Sequence, residues 1–437
     1  MITTAMGRRK RVLPALAIVG AAAVLLTACS TGGSGATTAK GSAKFQYVGA
    51  DTNTEISSVL KVASTSVCKS ENKAQPLTTS TTPGTTVDQH LQLLAGQNAL
   101  PTMVTASGTP ALMKQFIKAK KIVDVTKALG SAASNILPAA QSTIQNLYGT
   151  SDSYVFPTEF NVEGIWYNKK IFTANNITVP TTWNQLVTDT QTLEAAGVQP
   201  ISTDGKDGWP ITRLVGDYLY RDLGPDAMSN VASGKTKLTD PDYVKAATAV
   251  QTIGKQGAFG KSPSSIDYNT MESIFLSGKA AMMYNGSWTI ANFTDPKQDT
   301  VGLANIGFMP FPAVSGGKGS IDQYPSNIGI PVMFSTTGYG TKTQAWMKCI
   351  AENYGNLALA NGGVVSGFKA TKVPSNLPAL TAEVQKKVAA STSSVLWFEA
   401  LFGPKQTTVS QQNAAGLATG AMTPAAFMQL VQAAQGS

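Results

Sequence analysis

The chain is predicted to have an α/β fold with more than one lobe. From Phe45 onwards, short apolar stretches with strand character alternate with amphipathic helical stretches. This alternation is typical of a parallel sheet covered by helices on both faces. About 400 residues follow the amino-terminal segment, which is more than one hydrophobic core usually supports.

The amino terminus has the pattern of a secretory signal. A basic stretch, Arg8 to Arg11, precedes an apolar stretch, Val12 to Leu26, which is shorter than the ~20 residues of a membrane-spanning helix. Leu26 to Cys29 resembles a bacterial lipobox, which implies a lipid on Cys29 and cleavage just before it; a plain signal with an incidental cysteine is the alternative. We therefore expect a signal peptide at 1–28, a lipidated cysteine with a flexible tether at 29–43, and an exported protein held on the outer face of the cell membrane.

Charge and cysteine content exclude several functions. The formal charge of +9 includes four cations in the signal segment, which leaves +5 for the remainder, and no block of lysine or arginine indicates a nucleic-acid partner. Cys68 and Cys349 could pair, but their spacing does not decide this; because both lie in helical patterns, we expect buried free thiols. With only these thiols and His90, no zinc site is expected, and no cofactor is indicated.

In the first part of the body, two turns follow predicted strands. The turn containing Asp51 and Asn53 follows the strand that begins at Phe45, and Ser107 to Thr109 follows the strand at Met103. Ligands of open α/β sheets bind beyond the carboxyl ends of the strands, so these turns are possible lips of a cleft. Capping of the next helix is the alternative, and we favour it for both turns.

The stretch from Tyr154 to Phe172 is rich in aromatic and polar side chains. Pro157 cannot take part in a central ladder, so Thr158 to Asn161 is predicted to cross between strands. Glu159 and Asn161 would offer hydrogen-bonding groups to a polar ligand there. An ordinary strand–turn–strand with surface acids is an equally good interpretation of these residues alone.

Two tryptophans in the second part stand in glycine-rich surroundings. Trp209 lies in a loop between Gly208 and Pro210, and binding residues concentrate in such loops. Trp288 follows a buried strand that ends at Gly286, where a glycine permits a turn that other residues resist. Its flat ring could stack on a sugar, while an inward-packed ring is the alternative.

Several segments resemble the extracellular solute-binding proteins of family 1, the maltose-binding-like receptors of sugar ABC importers. The resemblance rests on the hinge-crossing pattern (Tyr154, Pro157, Tyr167, Asn168, Lys169 and Phe172), on the helix start Pro180–Trp183, and on the stretch Phe275–Trp288. The chain departs from the family at Pro101-Thr102, where a Pro-Asp is usual.

This resemblance implies a two-lobe periplasmic-binding fold of type II, each lobe a mainly parallel sheet flanked by helices, with the ligand between the lobes. The expected first lobe comprises 44–157 and 291–343, and the second 158–290 and 344–437, with Ile306 to Pro312 as a strand returning to the first lobe. By the resemblance, Trp209, Trp288 and Trp397 would stack on sugar faces. Phe368 is a further ligand-side aromatic.

The resemblance further implies a monomeric lipoprotein that captures a sugar, an oligosaccharide above all, and delivers it to the permease subunits of an ABC importer, coupled indirectly to an ATPase. Two other functions remain open. A secreted glycosidase would need two carboxylates, for which Glu159 and Glu163 are available, and a sugar-sensing lipoprotein would bind without transport.

Overall fold

Two β-sheets surrounded by helices make up the part of the chain that the structure describes. The structure is a computed structural model and describes residues 41–295 and 297–436; the predicted signal segment, Cys29 and most of the tether lie outside these ranges. The strands are β1 (Phe45–Ala50), β2 (Leu77–Thr82), β3 (Met103–Thr105), β4 (Asn161–Asn168), β5 (Gln199–Ser202), β6 (Ala280–Gly286), β7 (Ile306–Met309), β8 (Ser326–Asn327) and β9 (Val332–Phe334).

The helices connect these strands and cover both sheets, which confirms the α/β prediction. They are α1 (Glu55–Thr65), α2 (Lys69–Ala74), α3 (Val87–Gly96), α4 (Pro110–Lys118), α5 (Val125–Leu129), α6 (Pro138–Tyr148), α7 (Lys169–Ala174), α8 (Trp183–Ala195), α9 (Trp209–Leu223), α10 (Ala227–Ala232), α11 (Pro241–Lys255), α12 (Tyr268–Leu276), α13 (Ile290–Phe293), α14 (Thr341–Gly362), α15 (Ala379–Ala390), α16 (Pro404–Thr419) and α17 (Pro424–Ala433).

The first sheet has the strand order β2-β1-β3-β9. β1 pairs in parallel with both β2 and β3, because helices return the chain to the same edge between these strands. β9 comes much later in the sequence and closes the sheet in the antiparallel direction. The carboxyl ends of β1 and β3 therefore lie side by side and bring the turns at Asp51–Asn53 and Ser107–Thr109 to one edge.

The second sheet has the order β5-β6-β4-β7, with β8 paired to the start of β4. Only β5 and β6 pair in parallel, whereas β4 runs antiparallel to β6, β7 and β8. The expected mainly parallel pairing is therefore wrong for this sheet. The reason is connectivity: the helices from α9 to α12 form a crossover between β5 and β6, while β4 enters the sheet from the opposite direction.

The return of the chain to the first sheet occurs later than the sequence predicts. The strand at Ile306 was expected in the first lobe, but β7 pairs with β4 in the second sheet. The chain crosses back between β8 and β9, so that a short segment separates Asn327, which pairs with β4, from Val332, which pairs with β3. A strand pattern in the sequence carries no information about its pairing partner.

Two hydrophobic cores lie against these sheets, within one compact unit, Ala39–Ser437. The first contains Phe45, Met103 and Phe334, and the second contains Leu186, Ile201 and Met282. β4 contributes to both, because successive side chains of a strand point to opposite faces: Trp166 packs in the first core and Ile165 in the second. The lobe boundaries predicted from the family remain a prediction.

Cys68 and Cys349 form a disulfide bond across 281 positions of the sequence. The expectation of free thiols was therefore wrong, although both cysteines are buried as expected. The bond links the segment between α1 and α2 to α14, which packs on both helices. Within the described ranges, no helix is long and apolar enough to cross a bilayer.

Replacing both cysteines, Cys68→Ser with Cys349→Ser, is expected to lower the free energy of unfolding by about 2–5 kcal/mol, since the bond restricts the unfolded chain. Urea denaturation of a soluble form that begins at Ser30 measures this loss. The unreduced wild-type protein should incorporate no alkylating label in denaturant, and reduction should bring its midpoint to that of the variant. Labelling of both thiols without reductant would contradict the bond.

Candidate functional site

Glu159 lies where the chain crosses from the first sheet to the second. The Asn53 side-chain amide, from the turn after β1, donates a hydrogen bond of 2.6 Å to its Oε1. Gly329 on the returning segment leaves room for it, because a Cβ there would lie 2.5 Å from the Glu159 carboxylate. The returning backbone has a φ of +54° at this position, which also favours glycine.

Burial raises the pKa of the Glu159 carboxyl group. The hydrogen bond from Asn53 opposes this shift, and the nearby carboxylate of Glu55 adds to it. The sequence analysis named Glu159 as a binding candidate and Asn53 as a possible lip of a cleft, with helix capping favoured for Asn53, and the structure brings the two side chains together. Asn53 also accepts the backbone N–H of Ile56 at 3.2 Å, so it caps the start of α1 as well.

The other predicted residue of the β1 turn points elsewhere. Asp51 is exposed and accepts the backbone N–H of Gly84 at 2.8 Å. Its carboxylate therefore holds two loops together. At the second turn, the backbone N–H of Thr109 donates to the Ser107 hydroxyl at 2.8 Å, but Thr109, the residue before α4, makes no side-chain capping bond. The helix cap that we favoured from the sequence is therefore wrong for this turn.

Asn161, the first residue of β4, joins three segments. Its amide nitrogen donates to Asn327 Oδ1 at 3.3 Å, which links the two crossings. Its Oδ1 accepts the Ser287 hydroxyl at 3.1 Å, and Ser287 begins the turn that carries Trp288. Asn161 thereby fixes this turn against the crossing strand.

Trp288 is half-buried, and its ring folds back over Gly286. A Cβ at Gly286 would lie 1.9 Å from the indole, so only glycine fits beneath the ring. The backbone there has a φ of −88°, a value open to any residue. The glycine is therefore required by this close approach, whereas the sequence analysis had attributed it to a turn. The indole Nε1–H donates to the Tyr268 hydroxyl at 3.1 Å.

Trp209 begins α9 and lies beside Trp288. Their ring centroids are 6.0 Å apart, and Tyr268 is 6.3 Å from Trp209. Gly208, with a φ of +79°, caps the helix and packs against the backbone of α16, where a Cβ would lie 2.0 Å from a carbonyl oxygen. This contact fixes the start of α9 and therefore the position of the ring.

Arg213, one turn further along α9, separates Trp209 from Trp397. Its guanidinium carbon lies 5.6 Å from the first ring centroid and 5.7 Å from the second. Its Nε donates to Glu163 at 2.9 Å, and its Nη1 donates to Glu399. Two almost fully buried carboxylates therefore hold this guanidinium, which is 11% exposed, between the two indoles.

Phe368 does not join these residues. It is 1% exposed and lies edge-on to Phe156 at 5.1 Å. Its ring also contacts Tyr354 in the first core. The ligand-facing ring that the resemblance implied is instead part of the core, because the loop carrying Phe368 is bonded to the crossing through Gly367 and Pro157.

A cavity of about 420 Å³ lies beside the crossing. Glu159, Asn161 and Trp288 line it, together with the end of α14 and the start of α15. Trp209 and Trp397 do not line this cavity. Trp209 contacts Trp288, which does line it. A second cavity, of about 370 Å³, lies at the carboxyl ends of β1 and β3 and reaches Gly329. Glu159 and Asp88 are the charged residues in the two linings, and neither lining contains a basic side chain.

Asp217 and Arg221 extend a buried polar network along α9. Burial raises the pKa of Asp217 to about 8, and the charge of Arg221 opposes this shift. Arg221 donates from Nε to the carbonyl of Phe311 and from Nη1 to that of Gln323, each at 3.0 Å. These bonds tie α9 to the segment that follows β7.

Comparison with known proteins decides the family. The sequence model of the family of bacterial extracellular solute-binding proteins matches residues 68–348. The chain belongs to this family. The Multiple sugar-binding protein of Streptococcus mutans is 26% identical over 176 residues, which are 38% of this chain and 40% of that protein; the match thus spans about two fifths of this curated relative.

Solved structures show the same fold over nearly the whole chain. A probable secreted solute-binding lipoprotein from Streptomyces coelicolor superposes with a TM-score of 0.74 at 16% identity, covering 90% of this chain and 99% of that one. RafE solved in complex with raffinose gives a TM-score of 0.64 at 18% identity and covers 90% of this chain and 98% of that one; the apo form of RafE from Streptococcus pneumoniae gives a TM-score of 0.66 at 18% identity, covering 90% and 97%. At such identity the likeness establishes the periplasmic solute-binding fold.

The sequence analysis missed Arg213, Glu399 and Tyr268. Arg213 follows Trp209 by four residues, a spacing that places two side chains on one helix face, so this signal was available. Glu399 and Tyr268 gave no such signal, because they reach the site from segments distant in the sequence. Trp397 lies in an irregular segment before α16.

Replacing Asp217 with Asn is expected to flatten the dependence of stability on pH. Because its pKa is about 8 in the folded protein, against 3.8 for a free side chain, the folded state binds more protons between these values, and stability falls as pH rises towards 8. Urea unfolding from about pH 5 to about pH 8 measures the slope. The exposed Asp242→Asn serves as the control, and an unchanged slope in the Asp217 variant would contradict the shift.

Proposed function

We propose that this protein is an extracytoplasmic receptor that captures a neutral sugar and delivers it to an ABC importer. The observation that carries the proposal is the convergence of Glu159, Asn161 and Trp288 on one cavity at the crossing between the sheets. Its volume falls within the roughly 300–1,000 Å³ of small-molecule sites. The names of the relatives support a sugar, since the S. mutans protein is a multiple sugar-binding protein and RafE was solved with raffinose.

The groups around the cavity suit the two surfaces of a sugar. The indole of Trp288 offers a flat apolar face for the C–H side of a pyranose, and Trp209 extends this aromatic surface. Glu159 and Asn161 offer acceptors and donors for hydroxyl groups. A dissociation constant near one micromolar, about −8 kcal/mol, is within reach of one or two stacked rings and a few such bonds.

Capture by closure follows from the position of these groups. Glu159 and Asn161 belong to the crossing, Trp288 follows β6 of the second sheet, and α14 packs on α1 beside the first sheet. A ligand that touches both sides favours the closed arrangement and shifts the population towards it. The transmembrane permease, the ATPase, a lipid on Cys29 and a monomeric receptor are proposed on the basis of the family.

The arrangement favours binding over glycoside hydrolysis. Glu163, the second carboxylate available to a glycosidase, is 1% exposed and paired with Arg213. It therefore does not share the cavity with Glu159, as two carboxylates flanking a glycosidic bond would have to. A sugar-sensing lipoprotein uses the same site, and only loss of uptake on deletion of the gene separates it from a transport receptor.

Thermal unfolding of the soluble form against a panel of sugars tests the proposal. Raffinose, maltotriose, xylo-oligosaccharides and chito-oligosaccharides belong in the panel. At 100 times its dissociation constant a true ligand should add about 2.7 kcal/mol of stability. Recovery of the intact sugar would support a receptor, cleavage would support an enzyme, and no response to any sugar would reject the proposed ligand class.

Sugar phosphates and uronic acids are expected to bind at least tenfold more weakly than the neutral sugar with the same ring. The linings carry carboxylates and no cation, and two like charges at 4 Å in a partly buried site repel by up to about 4 kcal/mol. Titration calorimetry of the matched pair measures this ratio. Glu159→Gln should narrow it, and preference for the anion would contradict the proposal.

A further inference from the structure

Glu272 lies on α12 with 5% of its surface exposed and does not line either cavity. Its carboxylate accepts hydrogen bonds from four side chains. Tyr268 donates at 2.9 Å and Asn292 at 2.8 Å, while Asn285 donates at 3.3 Å and Thr289 also donates to it. Both oxygens of this buried carboxylate therefore accept from protein donors, Oε1 from three side chains and Oε2 from one.

Three of these donors lie close to Trp288 in the sequence, and the fourth, Tyr268, contacts its ring. Asn285 is the last residue but one of β6, Thr289 follows the tryptophan directly, and Asn292 lies on α13. Tyr268 begins α12 and contacts the indole nitrogen. One carboxylate thus joins α12 to both sides of the turn that carries the ring.

The chemistry of a carboxylate fixes the direction of each bond. An ionised carboxylate only accepts hydrogen bonds, so the Tyr268 hydroxyl must donate its hydrogen to Glu272. Its oxygen is then left to accept, and it accepts the indole Nε1–H of Trp288 at 3.1 Å and the Asn285 amide at 3.2 Å. Burial, reinforced by the charge of Glu272, raises the pKa of Tyr268 to about 12, so the hydroxyl keeps this hydrogen near neutral pH.

We propose that Glu272 is a positioning residue for the sugar site, which acts through Tyr268 to fix the orientation of the Trp288 indole. The proposal rests on the proposed function, in which Trp288 stacks on the ligand. Glu272 touches no ligand. Its part is to accept the hydrogen of the Tyr268 hydroxyl, so that the hydroxyl oxygen is left to accept the indole N–H of Trp288.

A glutamine at position 272 keeps the shape of the side chain but replaces one of the two acceptor oxygens with a donor NH₂ group. Its NH₂ group must face either Asn292 or the cluster of Tyr268, Asn285 and Thr289, all of which donate in the wild-type protein. Either the Asn292 amide turns over or a hydroxyl of the cluster turns its hydrogen away, because two buried donors that face each other without an acceptor are costly. The turn carrying Trp288 should shift in response.

The test compares Glu272→Gln and Tyr268→Phe with the exposed carboxylate variant Glu352→Gln in the soluble form. The resonance of the Trp288 indole N–H, assigned by its loss in Trp288→Phe, reports the orientation of the ring without any ligand. In both test variants we expect this resonance to move and its hydrogen exchange to accelerate. The dissociation constant of the sugar found in the thermal panel should rise about tenfold, or 1.4 kcal/mol. Glu352→Gln should change neither the indole resonance and its hydrogen exchange nor the dissociation constant of the sugar.

Each outcome decides the proposal. An unmoved indole resonance in folded Glu272→Gln overturns it, as does a moved resonance with unchanged sugar affinity. If Glu272→Gln does not fold, Tyr268→Phe carries the same two measurements, because it removes the same acceptor of the indole. If the wild-type protein binds no sugar, the proposed function fails, while the indole resonance still decides whether Glu272 orients Trp288.

Discussion

The paired crossing of the chain between the two sheets is the constraint on which the rest of the structure depends. The outgoing segment and the returning segment run antiparallel, with Phe156 opposite Val332 and Asn161 opposite Asn327. Between them the Thr158 hydroxyl donates to the carbonyl of Ile330 at 2.7 Å. Because these bonds join two backbones, neither segment can bend without the other. The polar groups that face the cavity lie on this pair, so their position is tied to the angle between the sheets.

A second constraint is the charge held between the tryptophans. Arg213 contacts Trp209, which packs on the second core, and Trp397, which packs on the first. Burying a guanidinium with carboxylates adds little to stability, because desolvation offsets the attraction. The planar group is nevertheless well suited to lie between two flat rings. It orders the aromatic surface at the boundary of the cores.

Patterns local in sequence predicted much of this structure. Alternating apolar stretches gave the α/β class, and the motifs around Glu159 and Trp288 located residues that meet at one cavity. Contacts between distant segments had no such signal. The sheet to which Ile306 belongs, the disulfide between Cys68 and Cys349, and the core position of Phe368 all depend on which elements become neighbours. The role of Gly286 was missed for a similar reason, since the need for glycine comes from a ring that folds back, not from the backbone angle.

The disulfide has a topological consequence for a protein of this family, whose members work outside the cytoplasm. The bond encloses everything from Cys68 to Cys349, and this includes the entire second sheet and both crossings. A protease that cuts any single loop within this range leaves two fragments joined by a covalent bond. The sheets also remain attached to each other through the uncut crossing. The two fragments of a nicked molecule therefore do not dissociate on dilution, and both sides of the cleft stay together.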